Sequence, residues 1–148
     1  VNLLGPGNPI GSKLRTSFQT AVRLSGTRGL VEAALILERK IKQKLSQPGT
    51  GRIYPRGKKV HQASAPGEPP AVDTGRLRSS IGHDETQILG ETISVRVGTN
   101  VDYATPLEYG SYKVKPRPFM RPALEEAKPE MSDAVTAELQ HATRVEFR

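Results

Sequence analysis

Residues 63–81 read ASAPGEPPAVDTGRLRSSI, and the stretch changes character in its middle. Its first half carries Pro66, Pro69 and Pro70. Proline is excluded from helix interiors and cannot donate to a sheet ladder, so this half is an extended strap. At Asp73 the pattern turns helical. Asp73 or Thr74 supplies an N-cap for a short helix, which puts Leu77 and Ile81 one turn apart on one face, flanked by Arg76 and Arg78. An extended strap that ends in a docked helix is how a chain crosses a surface, its own or a neighbour's, and anchors there.

Working outward towards the N-terminus, Gly51–Gln62 (GRIYPRGKKVHQ) reads as a short basic hairpin. Ile53 and Val60 are its strand-like residues and Pro55 to Gly57 its turn. A hairpin this small and polar is not stable alone. Arg52, Tyr54, Arg56, Lys58 and Lys59 are expected to project from it as a contact arm, towards an acidic neighbouring subunit or DNA. Residues 49–72 are therefore the expected protrusion, with 49–70 the least ordered part of the free chain. Before the hairpin, Leu30, Ala34, Leu37, Ile41 and Leu45 recur at helical spacing and predict a helix over 30–45, with Arg39, Lys40, Lys42 and Lys44 opposite. A second amphipathic segment over 12–24 is separated from it by Gly26 and Gly29, and 1–11 reads as an irregular arm.

Beyond the strap, Ile93, Val95 and Val97 alternate with Thr92, Ser94 and Arg96, the period of a strand over Glu91–Gly98. Ile88 and Leu89 belong either to an antiparallel partner or to the same strand past a bulge. A short helix starts near Asp102, with Tyr103, Leu107 and Tyr109 as packing groups, and Lys113–Lys115 reads as an edge strand. The last helix carries Met120, Leu124, Ala127, Met131, Val135 and Leu139 in phase, with Pro129 kinking it rather than ending it, and 141–148 is a tail. Two helical stripes and one strand stripe need a common core. The expected fold is α+β in one domain over 1–148: a small antiparallel sheet packed by an N-terminal and a C-terminal helix, with a long hairpin arm.

The 148 residues include no cysteine, which excludes disulfides, thiol catalysis and thiolate metal sites. No apolar run reaches membrane-spanning length and no signal-peptide pattern opens the chain, so a soluble protein working where it is made is expected. The net charge of +7 is unevenly spread: residues 1–60 hold twelve Lys/Arg against Glu32 and Glu38, whereas 61–148 hold ten against thirteen Asp/Glu. A solvated helix face explains such a bias without any partner. Nucleic-acid contact or head-to-tail stacking of complementary faces are the functional explanations.

Catalytic patterns are missing. His61, His83 and His141 stand apart, each expected at the surface, and none has a second ligand at metal-site spacing. Ser79 and Ser80 have no nucleophile elbow, and Gly49, Gly51 and Gly57 form no phosphate loop. Neither a cofactor nor a metal is expected, and no enzyme activity.

Three segments in order, APGEPPAVDTGRLRSSI at 65–81, VGTNVDYATPLEYG at 97–110 and PRPFMRPALEEA at 116–127, resemble the neck or tail-completion family of long-tailed bacteriophages. The resemblance extends from about Leu30 to Leu139. It implies a structural virion protein of the neck, assembled in the host cytoplasm. It further implies a closed ring of six or twelve copies between a portal-side, head-closure protein and a tail-terminator or tail-tube protein. DNA passing through the channel is a further expected contact. The alternative is a basic nucleic-acid-binding module using the N-terminal half.

Overall fold

The computed structural model describes residues 9–146. Its longest element is α1, a single helix over Pro9–Lys44, so Gly26 and Gly29 do not divide it as expected. Residues 9–11 of the expected irregular arm are helical, and the arm's first eight residues lie outside the described part. After α1 come β1 (Ile53–Arg56) and β2 (Lys59–Gln62), then α2 (Arg76–Ser79), β3 (Gly82–His83), β4 (Gln87–Leu89), β5 (Thr92–Ser94) and β6 (Val97–Gly98). Two helices complete the order, α3 (Ala104–Tyr109) and α4 (Met120–Glu146).

The α+β architecture is the expected one, but its β structure is divided into three antiparallel two-stranded ladders, β1–β2, β3–β6 and β4–β5. The strand anticipated over 91–98 changes partner midway. Its first part pairs with β4, opposing Ile88 to Ile93, and its last part pairs with β3, opposing His83 to Val97. The Lys113–Lys115 edge strand is replaced by a turn closed by reciprocal bonds between Ser111 and Val114. Residues 141–146 of the expected tail continue α4, and 147–148 lie outside the described residues.

The helices α1 and α4 run antiparallel, Gly29 lying against Val135 and Lys44 against Glu126. Small side chains make the approach close: Ser25, Gly29 and Ala33 are buried on α1, and Ala123, Ala127 and Ala142 on α4. A Cβ on Gly29 would sit 2.9 Å from the Val135 Cα, so the glycine is a packing residue and not a breaker. Its helix penalty, about 1 kcal/mol relative to alanine, is offset by the contact it permits. Pro129 lies on the exposed side of α4, where the carbonyl it leaves unbonded can be met by water, and the helix runs through it.

At the other end of the pair, Ile41 and Leu45 meet Leu77, Ile81, Val101, Ala104, Phe119 and Ala123 in the main apolar cluster. Leu107 packs against it as expected, but Tyr103 and Tyr109 are exposed. The buried Glu108 carboxylate accepts three backbone N–H bonds at the start of α4, from Phe119 (2.7 Å), Met120 (2.9 Å) and Arg121 (2.9 Å). These are donors that a helix N-terminus leaves without intrahelical partners.

The two glycines of α1 separate by experiment. Gly29→Ala should destabilise the protein by about 1–3 kcal/mol in urea unfolding, because backbone blocks the new methyl. Gly26→Ala meets only the Ile93 side-chain terminus, at 3.3 Å, and should leave the melting temperature at or above wild type.

Candidate functional site

The β1–β2 hairpin stands on a base that the strap locks. A two-residue loop, Gly57–Lys58, links the strands, with Gly57 at φ 59°, the positive angle that such hairpin turns require. Pro55 is therefore a strand residue opposite Val60 and not part of the turn. Ile53 and Val60 are 60% and 72% exposed, so the hairpin does not fold onto its own subunit. The Arg52 guanidinium lies 5.3 Å from the centre of the exposed Tyr54 ring. Lys58 and Lys59 are exposed and carry no ion pair among the described residues. Arg56 closes the ladder opposite Lys59.

Below the hairpin the chain is bound tightly. Gly51 N–H donates to the Ala63 carbonyl (2.8 Å) and Ala63 N–H to that of Arg52 (3.0 Å). Gly49 and Gly51 lie so close to the Ala63–Ser64 backbone that a side chain on Gly49 would overlap the Ala63 carbonyl, a packing reason for both glycines. The Glu68 carboxylate accepts from Ala65 N–H (2.9 Å), Thr50 N–H (3.1 Å) and the Thr50 hydroxyl. Gly67 N–H reaches the Pro116 carbonyl (3.0 Å), and the Arg117 guanidinium donates to the Ser64 carbonyl (3.1 Å). Segment 49–70 thus has two parts, a strap clasped to the body and a projecting hairpin.

The strap's far end anchors on its own subunit. Pro66 is exposed and Pro69 half-buried, whereas Pro70 is buried. Neither Asp73 nor Thr74 occupies the N-cap of α2; Gly75 does, at φ 78°, and the Thr74 hydroxyl accepts from Arg76 N–H at 3.3 Å. Leu77 and Ile81 enter the main cluster together, although Ile81 lies past the end of the helix. Arg76 and Arg78 stay exposed, Arg78 donating to the Ser46 hydroxyl (3.1 Å). A groove of about 250 Å³ runs beneath, walled by Leu45, Pro70, Leu77, Leu107 and Arg117.

Two arrangements were not legible beforehand. The cations of α1 have their complement in the same chain: Arg39 and Lys40 pair with Glu130, Lys44 with Glu126, and Lys42 with Glu38. Three of the twelve cations in residues 1–60 are thereby matched by two glutamates of α4 within the subunit. His83, expected as a simple surface residue, has its Nδ1 against the Glu38 carboxylate. Burial pushes the Glu38 carboxyl up, but hydrogen bonds from His83 and Lys42 outweigh it and hold the group below its ordinary value. No group of His, Asp or Glu among the described residues is placed to hold a metal ion. No described helix is long and apolar enough to cross a membrane.

A family model described as "Bacteriophage HK97-gp10, putative tail-component" matches residues 12–110. The chain belongs to this HK97-gp10-like family. The match covers most of α1, the hairpin, the strap, all three ladders and α3, and it ends before α4. No curated protein and no solved structure matches the chain. Membership makes the chain a structural component of a phage tail and a part of the virion.

In this tail component the clasp under the arm is expected to weaken in acid. Hydrogen bonds from Thr50 and from the Ala65 backbone hold the Glu68 carboxyl below its ordinary value. A depressed carboxyl stabilises the fold above its unfolded value and loses that contribution as pH falls through the folded one. Amide protection at Thr50 and Ala65, corrected for intrinsic exchange, should therefore drop as pH is lowered below about 4. Glu68→Gln should lower it already at neutral pH.

Proposed function

We infer that the chain is a ring-forming, non-catalytic subunit of the neck or tail-completion complex that joins the capsid portal to the tail. The observation that carries this reading is the β1–β2 arm: a hairpin locked at its base yet exposed on both sides, with Ile53, Tyr54 and Val60 in solvent. A two-stranded ribbon gains stability only against further structure, and here Ile53, Tyr54 and Val60 are left uncovered by the described residues of its own subunit. Arg52, Arg56, Lys58 and Lys59 bring charge-assisted donors to such a contact. Membership in a phage tail-component family supports the same reading. Head-to-tail contact between identical subunits closes into a ring when the rotation permits, and six copies, or twelve, suit the symmetries of tail and portal.

The arm rather than the strap is the element that reaches the neighbouring subunit, since Leu77 and Ile81 are spent on the chain's own core. The pairing of Arg39, Lys40 and Lys44 with α4 favours this reading over DNA binding by the N-terminal half.

Replacing Arg52, Arg56, Lys58 and Lys59 together with Ser tests the arm. The isolated subunit should melt near wild type, since changes on a projecting hairpin cost within about 0.5 kcal/mol each. Assembly of tailed particles, scored by electron microscopy of a complemented lysate, should fail. Normal particles would make the arm a bystander, and an unfolded subunit would place the hairpin in the core.

A further inference from the structure

Two other surfaces carry matching chemistry. The first is the β4–β5 hairpin, which turns through Gly90 at φ 60°. It is fastened to α1 from below: the Arg23 guanidinium donates to the Gly90 carbonyl (3.0 Å), and Ile93 packs over Gly26. Its tip is nevertheless apolar and in water, with Leu89 79% exposed and Ile88 about half exposed. Residues 84–91 (DETQILGE) contain Asp84, Glu85 and Glu91 and no Lys or Arg. All three carboxylates are exposed, and none forms an ion pair among the described residues. The cations facing them from neighbouring elements are Arg23 under the turn and Arg96, whose carbonyl accepts from Asp84 N–H.

The second surface is the loop between α3 and α4, residues 109–115. It is a constructed turn. Ser111 and Val114 bond each other's backbones at 2.8 and 3.3 Å, and the Ser111 hydroxyl accepts from the N–H groups of Lys113 and Val114. Gly110, at φ 82°, is pressed against Pro116. This rigid turn holds Tyr112 95% exposed, with Lys113 5.6 Å from its ring centre, while Arg121 lies 5.9 Å from that of the exposed Tyr109. Lys113, Lys115 and Arg121 form no ion pair among the described residues. The nearby carboxylate of Glu108 is buried and fully engaged by backbone donors. Rigid, exposed tyrosines beside arginine are the side chains on which protein interfaces concentrate their binding energy.

We propose that copies of this chain dock head to tail by seating the acidic, apolar β4–β5 tip of one on the basic, tyrosine-bearing 109–115 loop of the next. This rests on the ring reading and names a contact separate from the arm. The two surfaces are opposite in charge, and each offers apolar area that its own subunit leaves in water. They also lie at different levels along α1. The tip sits over Arg23 and Gly26, whereas the loop leaves α3 and enters α4 beside the cluster that contains Ile41. Eighteen residues of α1 separate those levels, about 27 Å along its axis. A subunit cannot satisfy its own loop with its own tip, so each copy presents one vacant surface of each kind. That is the arrangement from which rings close.

The absence of cysteine makes a clean test. Leu89→Cys and Tyr112→Cys each introduce a single exposed thiol and should melt as wild type. On mild oxidation of an equimolar mixture of the two single variants, the 89–112 heterodimer should dominate both homodimers. A chain carrying both changes should give a ladder that ends in one closed species. Lys113→Glu with Lys115→Glu should reduce the heterodimer severalfold, and Glu85→Lys with Glu91→Lys in the partner should restore it. Dominant homodimers, or a double variant that stops at dimer, would overturn the proposal. So would charge reversal of the loop that abolishes binding of a duplex oligonucleotide and leaves cross-linking unchanged, since the loop would then face nucleic acid. Sedimentation of the wild type separates the two readings. Oligomers without any 89–112 disulfide remove this contact and leave the ring. Monomers in solution, with a single copy in each assembled particle, remove both.

Discussion

The Glu108 carboxylate is the point on which the lower half of the molecule depends. It is buried, and its two oxygens accept the N–H groups of Phe119, Met120 and Arg121. Buried backbone donors without acceptors cost about 1–3 kcal/mol each, so one side chain decides where α4 can begin. That start sets Phe119 fully inside the cluster and Ala123 and Ala127 against α1. It also fixes both ends of the 109–115 loop, beyond which the Arg117 N–H donates back to the Leu107 carbonyl at 2.7 Å. Through Pro116 and Arg117 the same connection holds the strap, and the strap holds the base of the arm. A short helix, a loop, a strap and a hairpin are thus positioned in series from one cap.

The family match stops at Gly110, yet the matched part does not contain the whole of its core. Ile41, Leu77, Ile81, Val101 and Ala104 come from within it, and Phe119 and Ala123 come from beyond. The ladders cannot substitute, because each has two strands and the exposed residues of β1, β2 and β4 show how little apolar area they cover. The helix pair supplies the burial that the strands lack. With alanine and glycine at the seam, the burial comes from close approach rather than from bulk.

Charge divides the surface by the same geometry. Where α1 faces α4, lysine and arginine meet glutamate of the same chain. Exposed pairs of this kind contribute little to stability, typically below about 1 kcal/mol, but they leave those cations with less to offer a partner. Lys58 and Lys59 on the arm, the cations on the 109–115 loop and the carboxylates around the β4–β5 tip find no such neighbour among the described residues. Uncommitted charges on the β4–β5 tip and the 109–115 loop thus stand beside some of the most exposed tyrosine and leucine side chains.

Much of this was legible in the sequence because it is local. The 3.6-residue stripes marked α1 and α4, the prolines marked the strap, the glycine-centred basic run marked the arm, and Leu77 and Ile81 were recognisable as an anchor. Three ordered motifs also pointed to the phage-tail assignment that the family match carries. What the sequence could not settle depends on distant partners. Gly29 looks like a breaker until α4 lies against it, because helix propensity is local and the compensating contact is more than a hundred residues away at Val135. Glu108 gives no sign of capping a helix that begins twelve residues later. The even alternation over 91–98 hides a change of partner between β4 and β3, since periodicity reports which way side chains point and not which strand lies alongside. The basic stripe of α1 read as a solvated face or as a surface for nucleic acid or a neighbouring subunit, and only the antiparallel packing of α4 placed glutamates against it.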